Sequence, residues 1–340
     1  ENYCTKPFQP FSDLVCNFLD NFSKELNSKK VFKDYPELKS LSFWCRKKNI
    51  LNLKEKFFLK KNRLGLGLLL HITPSNVPVN FAYSLFFGLL TGNSNIVKVP
   101  SKNFVQISII CEIIKKVLKQ KKNILKKKMT IVQYSDNDDY TKKISSECNA
   151  RVIWGGDKTI NSIRQFKIKE KTLDITFPDR YSFCVLSSTS LNKLNKFDLK
   201  ILINKFYNDT YYVDQNACSS PHLILWTGTN KTKAKKTFWD ALFKYLKKNY
   251  QLKDSAPIEK YATLCEHATK IKNIKNISNY ENLIYKIDLK KIDKGIDEFR
   301  GKWGLFFEHD LKNLNDIKNI VNIKYQTLTY FGLDKKLLYN

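Results

Sequence analysis

Apolar residues recur at helical spacing near the start of the chain. Phe11, Leu14, Val15, Phe18, Leu19 and Phe22 fall on one face, and residues 11–60 are expected to be helical. The period then changes. Residues 63–72 (RLGLGLLLHI) form a short apolar run broken by two glycines, which predicts a buried strand. Residues 77–90 (VPVNFAYSLFFGLL) return to a helical period, with Pro78 in the first turn and Thr91-Gly92-Asn93 as the stop. Strands are predicted at 95–99, 129–133 and 150–154, with an amphipathic helix at 106–118 and a helix-like stretch at 159–166. Further on, 183–186 and 223–226 read as strands of a second unit and 231–250 as a Lys-rich amphipathic helix. Residues 270–298 are weakly patterned and polar, and 303–307 and 326–331 are strand-like. Strands alternating with helices in this order predict parallel α/β units. No internal repeat is evident.

Composition narrows the picture. At 340 residues the chain is long enough for about two domains. Hydrophobic residues make up 42%, an ordinary globular share, and no apolar run is long enough for a membrane-spanning helix. The net charge is +28, but only six of the 60 basic residues are Arg. The Lys-rich runs flank apolar periodic segments and read as solvated helix faces. A nucleic-acid binder would use more Arg for bidentate contacts, so no nucleic-acid partner is expected. The charge does favour anionic ligands such as phosphates, nucleotides and coenzyme A. Eight cysteines stand singly, at 4, 16, 45, 111, 148, 184, 218 and 265, without a C-x-x-C pair, and the four histidines show no H-x-x-x-H spacing. No metal site is therefore expected, and the thiols read as reduced in a cytoplasmic protein. The only methionine is Met129 and the chain opens at Glu1, so it is read as a fragment of a longer product.

Four segments could carry chemistry. Thr73-Pro74-Ser75-Asn76-Val77-Pro78 is a rigid strand-to-helix turn, placed where open α/β sheets bind ligands. Asn76 could donate its amide to an oxyanion, or Ser75 or Asn76 could simply cap the helix. Lys98, after a buried strand, could reach a nucleotide ribose, or be one ordinary lysine among many. Gly155-Gly156-Asp157 runs from a strand into a helix and could bring backbone N–H groups to a pyrophosphate; it is not a G-x-G-x-x-G fingerprint, and a bare Gly-Gly turn is often just a connection. Finally, Cys218 sits in DQNACSSPH (214–222), a small, polar, turn-forming segment before an apolar strand. An accessible thiolate there could act as a nucleophile, or the cysteine could be a small residue in a tight turn.

Order and content together bring a family into view. HITPSNVPVNFAYSLFFGLLTGNSNIVKVPSK (71–102) and QNACSSPHLIL (215–225), with looser matches at VIWGG (152–156) and YQTLTYFG (325–332), resemble the LuxC-type acyl-CoA reductases of bacterial luminescence. These form a branch of the aldehyde dehydrogenase superfamily. The resemblance implies an α/β, aldehyde dehydrogenase-like fold with a Rossmann-type cofactor domain and an α/β catalytic domain. Cys218 matches the nucleophile, and Asn76 the oxyanion-hole residue, paired with the Cys218 backbone N–H. Thr73, Pro74, Lys98, Ser101, Gly155 and Gly156 match cofactor-binding positions, with Lys98 at the ribose and the glycines near the pyrophosphate. Ser101 stands where many NAD-preferring relatives carry Glu. With Lys102 beside it, a 2′-phosphate would be accepted, so NADPH is expected, NADH remaining an alternative.

Two departures from the superfamily pattern are informative. Phe177 stands where aldehyde-oxidising relatives carry the Glu that activates the deacylating water, in an E-L-G-G-K-S segment. An aromatic there favours reduction over hydrolysis. The second ribose-binding Glu, in an E-x-F-G-P segment, is not evident near Trp303-Gly304. The expected organisation is residues 1–177 for the N-terminal helices and cofactor domain, 178–325 for the catalytic domain, and 326–340 as a C-terminal segment, with the active site between the two domains. The expected reaction is NADPH-dependent reduction of an acyl thioester to an aldehyde. The acyl donor would be acyl-CoA or an acyl-protein synthetase partner, and the enzyme a homo-oligomer. The alternatives are an aldehyde dehydrogenase acting oxidatively, or a reductase of a short acyl group.

Overall fold

The computed structural model describes residues 6–57, 63–119, 124–135 and 139–339. Cys4 lies outside the described residues. The chain divides into two compact units, Glu1–Asp179 and Arg180–Asn340.

The first unit opens with three helices, α1 (Asp13–Ser28), α2 (Pro36–Trp44) and α3 (Lys47–Phe57). The single helical stretch expected over 11–60 is thus broken. Lys29 leaves helical geometry in an extended conformation, Pro36 opens α2 at its first position, and α3 follows Cys45 and Arg46. Val15, Phe18, Leu19, Phe22 and Leu26 form the buried stripe of α1, where Phe22 meets the Phe86 ring edge-on at 5.0 Å. Then come β1 (Leu68–Ile72), α4 (Asn80–Leu90), β2 (Ser94–Lys98), α5 (Val105–Lys119), β3 (Met129–Val132), α6 (Tyr140–Glu147), β4 (Ala150–Gly155), α7 (Asp157–Arg164) and β5 (Leu173–Pro178). The five strands are parallel, in the order β3-β2-β1-β4-β5. Strand order reverses between β1 and β4, the crevice where doubly wound sheets place their ligands. β1 and β2 are buried along their whole length, as parallel strands covered on both faces must be.

Two buried polar groups knit this sheet. His71, 1% exposed, bonds Ser84 Oγ of α4 through Nδ1 at 2.8 Å and Asn95 Oδ1 of β2 through Nε2 at 2.9 Å. The fully buried Arg151 guanidinium of β4 grips Asp174 of β5 at 2.6 and 2.7 Å and donates to Ile163 O of α7 at 2.8 Å. A bidentate pair of this kind fixes orientation as well as distance.

The second unit contains β6 (Tyr181–Ser187), α8 (Ser188–Leu191), α9 (Lys196–Thr210), β7 (Leu223–Thr227), α10 (Lys231–Asn249), α11 (Ala256–Lys270), β8 (Ile274–Tyr280), β9 (Ile284–Leu289), β10 (Leu305–Asp310), β11 (Tyr325–Phe331) and α12 (Lys335–Tyr339). Its sheet has the order β11-β6-β7-β10-β9-β8, parallel except for the β8–β9 hairpin. That hairpin occupies part of the weakly patterned stretch 270–298. Edge strand β8 exposes most of its residues, which removes the alternating signal. β11 pairs with β6 along its length, so the start of the C-terminal segment is an integral strand of this unit. No described helix is long and apolar enough to cross a membrane.

Burial drives the His71 imidazole down to about 4 from its ordinary 6.5. The unfolded chain therefore takes up a proton near pH 6.5, whereas the folded chain resists until about 4. Stability is retained above pH 6.5 and falls as the pH drops through that window, by about 2 kcal/mol at pH 5 from this group alone. Urea unfolding at pH 7 and pH 5 should show this loss, and His71→Gln should shrink the difference between the two pH values.

Candidate active site

In the first unit, the residues singled out in the sequence gather at the carboxyl end of the sheet. Thr73, just past β1, is tied to the end of β2: its N–H and its Oγ1 both bond Lys98 O, at 3.3 and 2.7 Å. Pro74, Ser75 and Asn76 follow in the turn. Helix α4 starts later than the periodicity suggested, at Asn80, and Val79 is its N-cap, without a side-chain cap bond. The simple reading of Ser75 or Asn76 as the helix cap is therefore incorrect. Pro78 instead lies in the turn that precedes the helix. Asn76 is exposed, and its Oδ1 accepts from Val77 N at 3.0 Å, so the backbone engages the acceptor end of the amide. An oxyanion would need the other end, Nδ2.

Lys98 ends β2 and is only 8% exposed; its ammonium lies 4.9 Å from the centroid of the Tyr134 ring. Ser101 is exposed in the loop beyond. Gly155 ends β4, where an added Cβ would lie 3.1 Å from Thr159, and Gly156 is the N-cap of α7, with open space where a Cβ would stand. Thus the two strands flanking the reversal, β1 and β4, carry Thr73 to Asn76 and Gly155-Gly156. An open helix N-terminus at the switch point fits a pyrophosphate, so these residues fit a dinucleotide. Phe177, on β5, stacks on Trp154 of β4 with ring centroids 4.0 Å apart and planes at 11°, and Trp154 Nε1 donates to Ser84 Oγ at 3.3 Å. Phe177 remains 42% exposed.

Cys218 belongs to the second unit, in the loop leading into β7. Ser220 N bonds Ala217 O at 3.0 Å, closing a four-residue turn with Cys218 second in it, and Ser182 Oγ donates to Cys218 O at 2.6 Å. The half-buried Cys218 contrasts with most other described cysteines. Burial raises the thiols of Cys16, Cys45 and Cys111, and pushes Cys148 to about 11 and Cys184 to about 12. A thiol so raised makes little thiolate at neutral pH.

Sequence reasoning missed what holds this turn. Asp214 and Gln215 both take left-handed backbone angles, φ 54° and 61°, as do Trp303 at 53° and Gly304 at 86°. Each non-glycine residue there costs on the order of 1 kcal/mol or more. The two strained pairs brace one another. Trp303 N donates to Asp214 O at 3.2 Å and Gly304 N to Gln215 Oε1 at 3.1 Å. The Gln215 amide, 1% exposed, also donates to Pro221 O and Leu305 O at 3.1 and 3.2 Å. The Asp214 carboxylate accepts from Tyr250 and Lys253 at 2.8 and 2.7 Å, and the buried Lys260 ammonium donates to Trp303 O at 2.8 Å and to Asn282 O. At Gly304 a Cβ would meet the Tyr211 hydroxyl, so only glycine fits. The one available signal was Gln215 itself, a long amide three residues before Cys218.

His222, four residues past Cys218, is buried. Burial, with the Arg300 guanidinium nearby, holds its imidazole neutral down to about 3. Its backbone instead joins strands: its N–H bonds Ser182 O, and its carbonyl accepts from Phe307 N. Among the described residues no group of His, Cys, Asp and Glu could hold a metal ion.

Gln215→Ala leaves two backbone carbonyls and one N–H without these partners in a buried loop, at roughly 1–3 kcal/mol for an orphaned group. Urea unfolding of the variant should show a loss of at least about 2 kcal/mol, and the rate of Cys218 alkylation should change with it. Gln215→Glu, which keeps the length but loses both donors, should also be destabilised.

Solved structures share this architecture. A NAD-dependent benzaldehyde dehydrogenase from Corynebacterium glutamicum aligns over 97% of this chain and 78% of its own, with TM-score 0.67 and 10% identity. The aldehyde dehydrogenase KauB from Pseudomonas aeruginosa aligns over 96% and 72%, with TM-score 0.67 and 13% identity. Proline utilization A from Bradyrhizobium japonicum aligns over 96% of this chain and 37% of its own, with TM-score 0.70 and 12% identity. At such identities the likeness shows an aldehyde dehydrogenase-like α/β fold. None of the curated proteins matches the chain. Residues 29–291, most of its length, match the acyl-CoA reductase (LuxC) family: the chain belongs to that family of oxidoreductases.

Proposed function

We propose that this chain reduces an acyl thioester, fatty acyl-CoA or an acyl group carried by a partner synthetase, to the aldehyde, through an acyl-enzyme on Cys218. The observation that carries this reading is the Cys218 turn: a half-buried cysteine held on a strained, doubly braced loop in a chain of the acyl-CoA reductase family. Bound NADPH would supply the hydride. Cys218, as thiolate, attacks the thioester carbonyl, and the resulting oxyanion is held by the Cys218 backbone N–H and by the Asn76 amide. One such donor is worth about 3–4 kcal/mol in comparable sites. Collapse expels the acyl donor's thiolate, which takes up a proton, and leaves the acyl group on sulfur. After reduction, the thiohemiacetal oxyanion on Cys218 collapses, which expels the Cys218 thiolate and releases the aldehyde. On the cofactor side, Lys98 addresses the ribose, Ser101 and Lys102 the 2′-phosphate, and Thr73, Pro74, Gly155 and Gly156 line the dinucleotide. The enzyme acts in the cytoplasm, as a homo-oligomer. A place in luminescence would follow only from the company the enzyme keeps, since the same reduction serves other pathways.

A second reading, aldehyde oxidation, is favoured by the dehydrogenase-like fold and disfavoured by Phe177. Oxidation needs water activated beside the acyl-enzyme, and the Phe177 ring, stacked on Trp154, offers no base. Measuring acyl-CoA reduction and aldehyde oxidation side by side separates the two.

Incubation with acyl-CoA in the absence of NADPH should leave an acyl adduct on Cys218, seen by peptide mass spectrometry, and Cys218→Ala should abolish both adduct and reduction. An adduct on another cysteine would overturn the assignment. Phe177→Glu should restore a base: free acid released from the acyl-enzyme should rise at least tenfold, against roughly 10²–10⁴ for well-placed general-base help.

A further inference from the structure

The cofactor preference proposed above turns on residues 99–104, the loop after β2 that carries Ser101 and Lys102. Pro100 has no N–H with which to pin this loop. A side chain from the next strand does so. Gln133, the first residue past β3, donates from Nε2 to Pro100 O at 2.8 Å and to Ser101 O at 3.1 Å, with Asn103 Oδ1 at 3.4 Å. The following residue, Tyr134, sets its ring 4.9 Å from the Lys98 ammonium, and its hydroxyl pairs with Thr141 Oγ1 of α6 at 2.8 Å.

Peptide planarity gives the Gln133 bonds a consequence. In a trans peptide the N–H points opposite to the preceding C=O. With the carbonyls of Pro100 and Ser101 both turned toward Gln133, the N–H groups of Ser101 and Lys102 turn to the other side. Two successive N–H groups on one side make a small anion-binding nest, and the Ser101 hydroxyl and Lys102 ammonium come from the same two residues. The Tyr134 ring holds the Lys98 ammonium electrostatically, through its π face.

We infer that Gln133 and Tyr134 are positioning residues for the adenosine end of the cofactor. Gln133 shapes the loop into a receptor for the 2′-phosphate, and Tyr134 holds Lys98 for the ribose hydroxyls. This rests on the reading of Lys98, Ser101 and Lys102 as the ribose and phosphate partners of NADPH. The two residues have separable effects, because only NADPH carries the 2′-phosphate whereas NADPH and NADH share the ribose.

Equilibrium binding of NADPH and of NADH, followed by reduced-nicotinamide fluorescence, tests this without turnover. Gln133→Met keeps the length and loses both donors. It should weaken NADPH about tenfold and NADH less than about threefold, with the thermal midpoint lowered by no more than a few degrees. Tyr134→Leu should weaken both cofactors alike, by about fivefold. Should Gln133→Met fail to fold, Gln133→Asn, which withdraws the amide by one methylene, reads the same ratio. Equal weakening of NADPH and NADH by the Gln133 variant, or no weakening of either, overturns the role given to Gln133. Tyr134→Leu leaving both affinities intact overturns that of Tyr134. A wild-type protein that binds NADH as tightly as NADPH overturns the cofactor reading itself, and is seen before any variant is made.

Discussion

A single buried carboxamide, that of Gln215, joins the loops that lead into two neighbouring strands of the second unit. Its amide donates to Pro221 O and Leu305 O, while its oxygen accepts from Gly304 N. An apolar side chain there would leave those backbone groups unsatisfied, and a shorter one would not reach them. The left-handed turns at Asp214-Gln215 and Trp303-Gly304 persist because these bonds, with those of Asp214 to Tyr250 and Lys253, over-determine the backbone. Cys218 therefore sits on a loop whose position is fixed by its neighbours, which suits the role proposed for it.

The two units place their candidate residues at opposite ends of their strands. In the first, Thr73 to Asn76, Lys98 and Gly155-Gly156 all end or follow strands, at the carboxyl end of a doubly wound sheet. In the second, Cys218 precedes β7, and Trp303-Gly304 precede β10, which is parallel to β7. The first arrangement is a property of the topology and needs only short turns and small residues. The second has no such topological origin. It is built from strained backbone and side-chain hydrogen bonds, which explains why so many of its supporting residues are polar and buried.

Buried charge and buried imidazole serve architecture more than chemistry here. Arg151 and Asp174 lock the start of β4 to the start of β5. His71 and His222, both held neutral by burial, act through hydrogen bonds and backbone pairing. The large positive charge is carried mostly by lysines, and it bears on which ligands approach rather than on how the chain folds.

Much of this was legible in the chain itself. Period and punctuation locate β1, β2, β3, β4, β6 and β7, with α4, α5 and α7 among the helices between them, because buried parallel strands read as apolar runs. The motifs PSNVP, NIVKVPS and QNACSSP point to the family because their residue types and order are specific. Elements with weak local signals were invisible: β5 and β8 are edge strands, β9 alternates apolar with polar residues, and α9 and α11 carry mixed faces. Only tertiary structure could show that Val79 caps α4, that Gln215 and Gly304 meet across 89 positions, or that Gln133 holds the loop bearing Ser101. Sequence encodes each residue's propensity, but a hydrogen bond between distant segments depends on where the whole fold brings their backbones, and no local pattern records that.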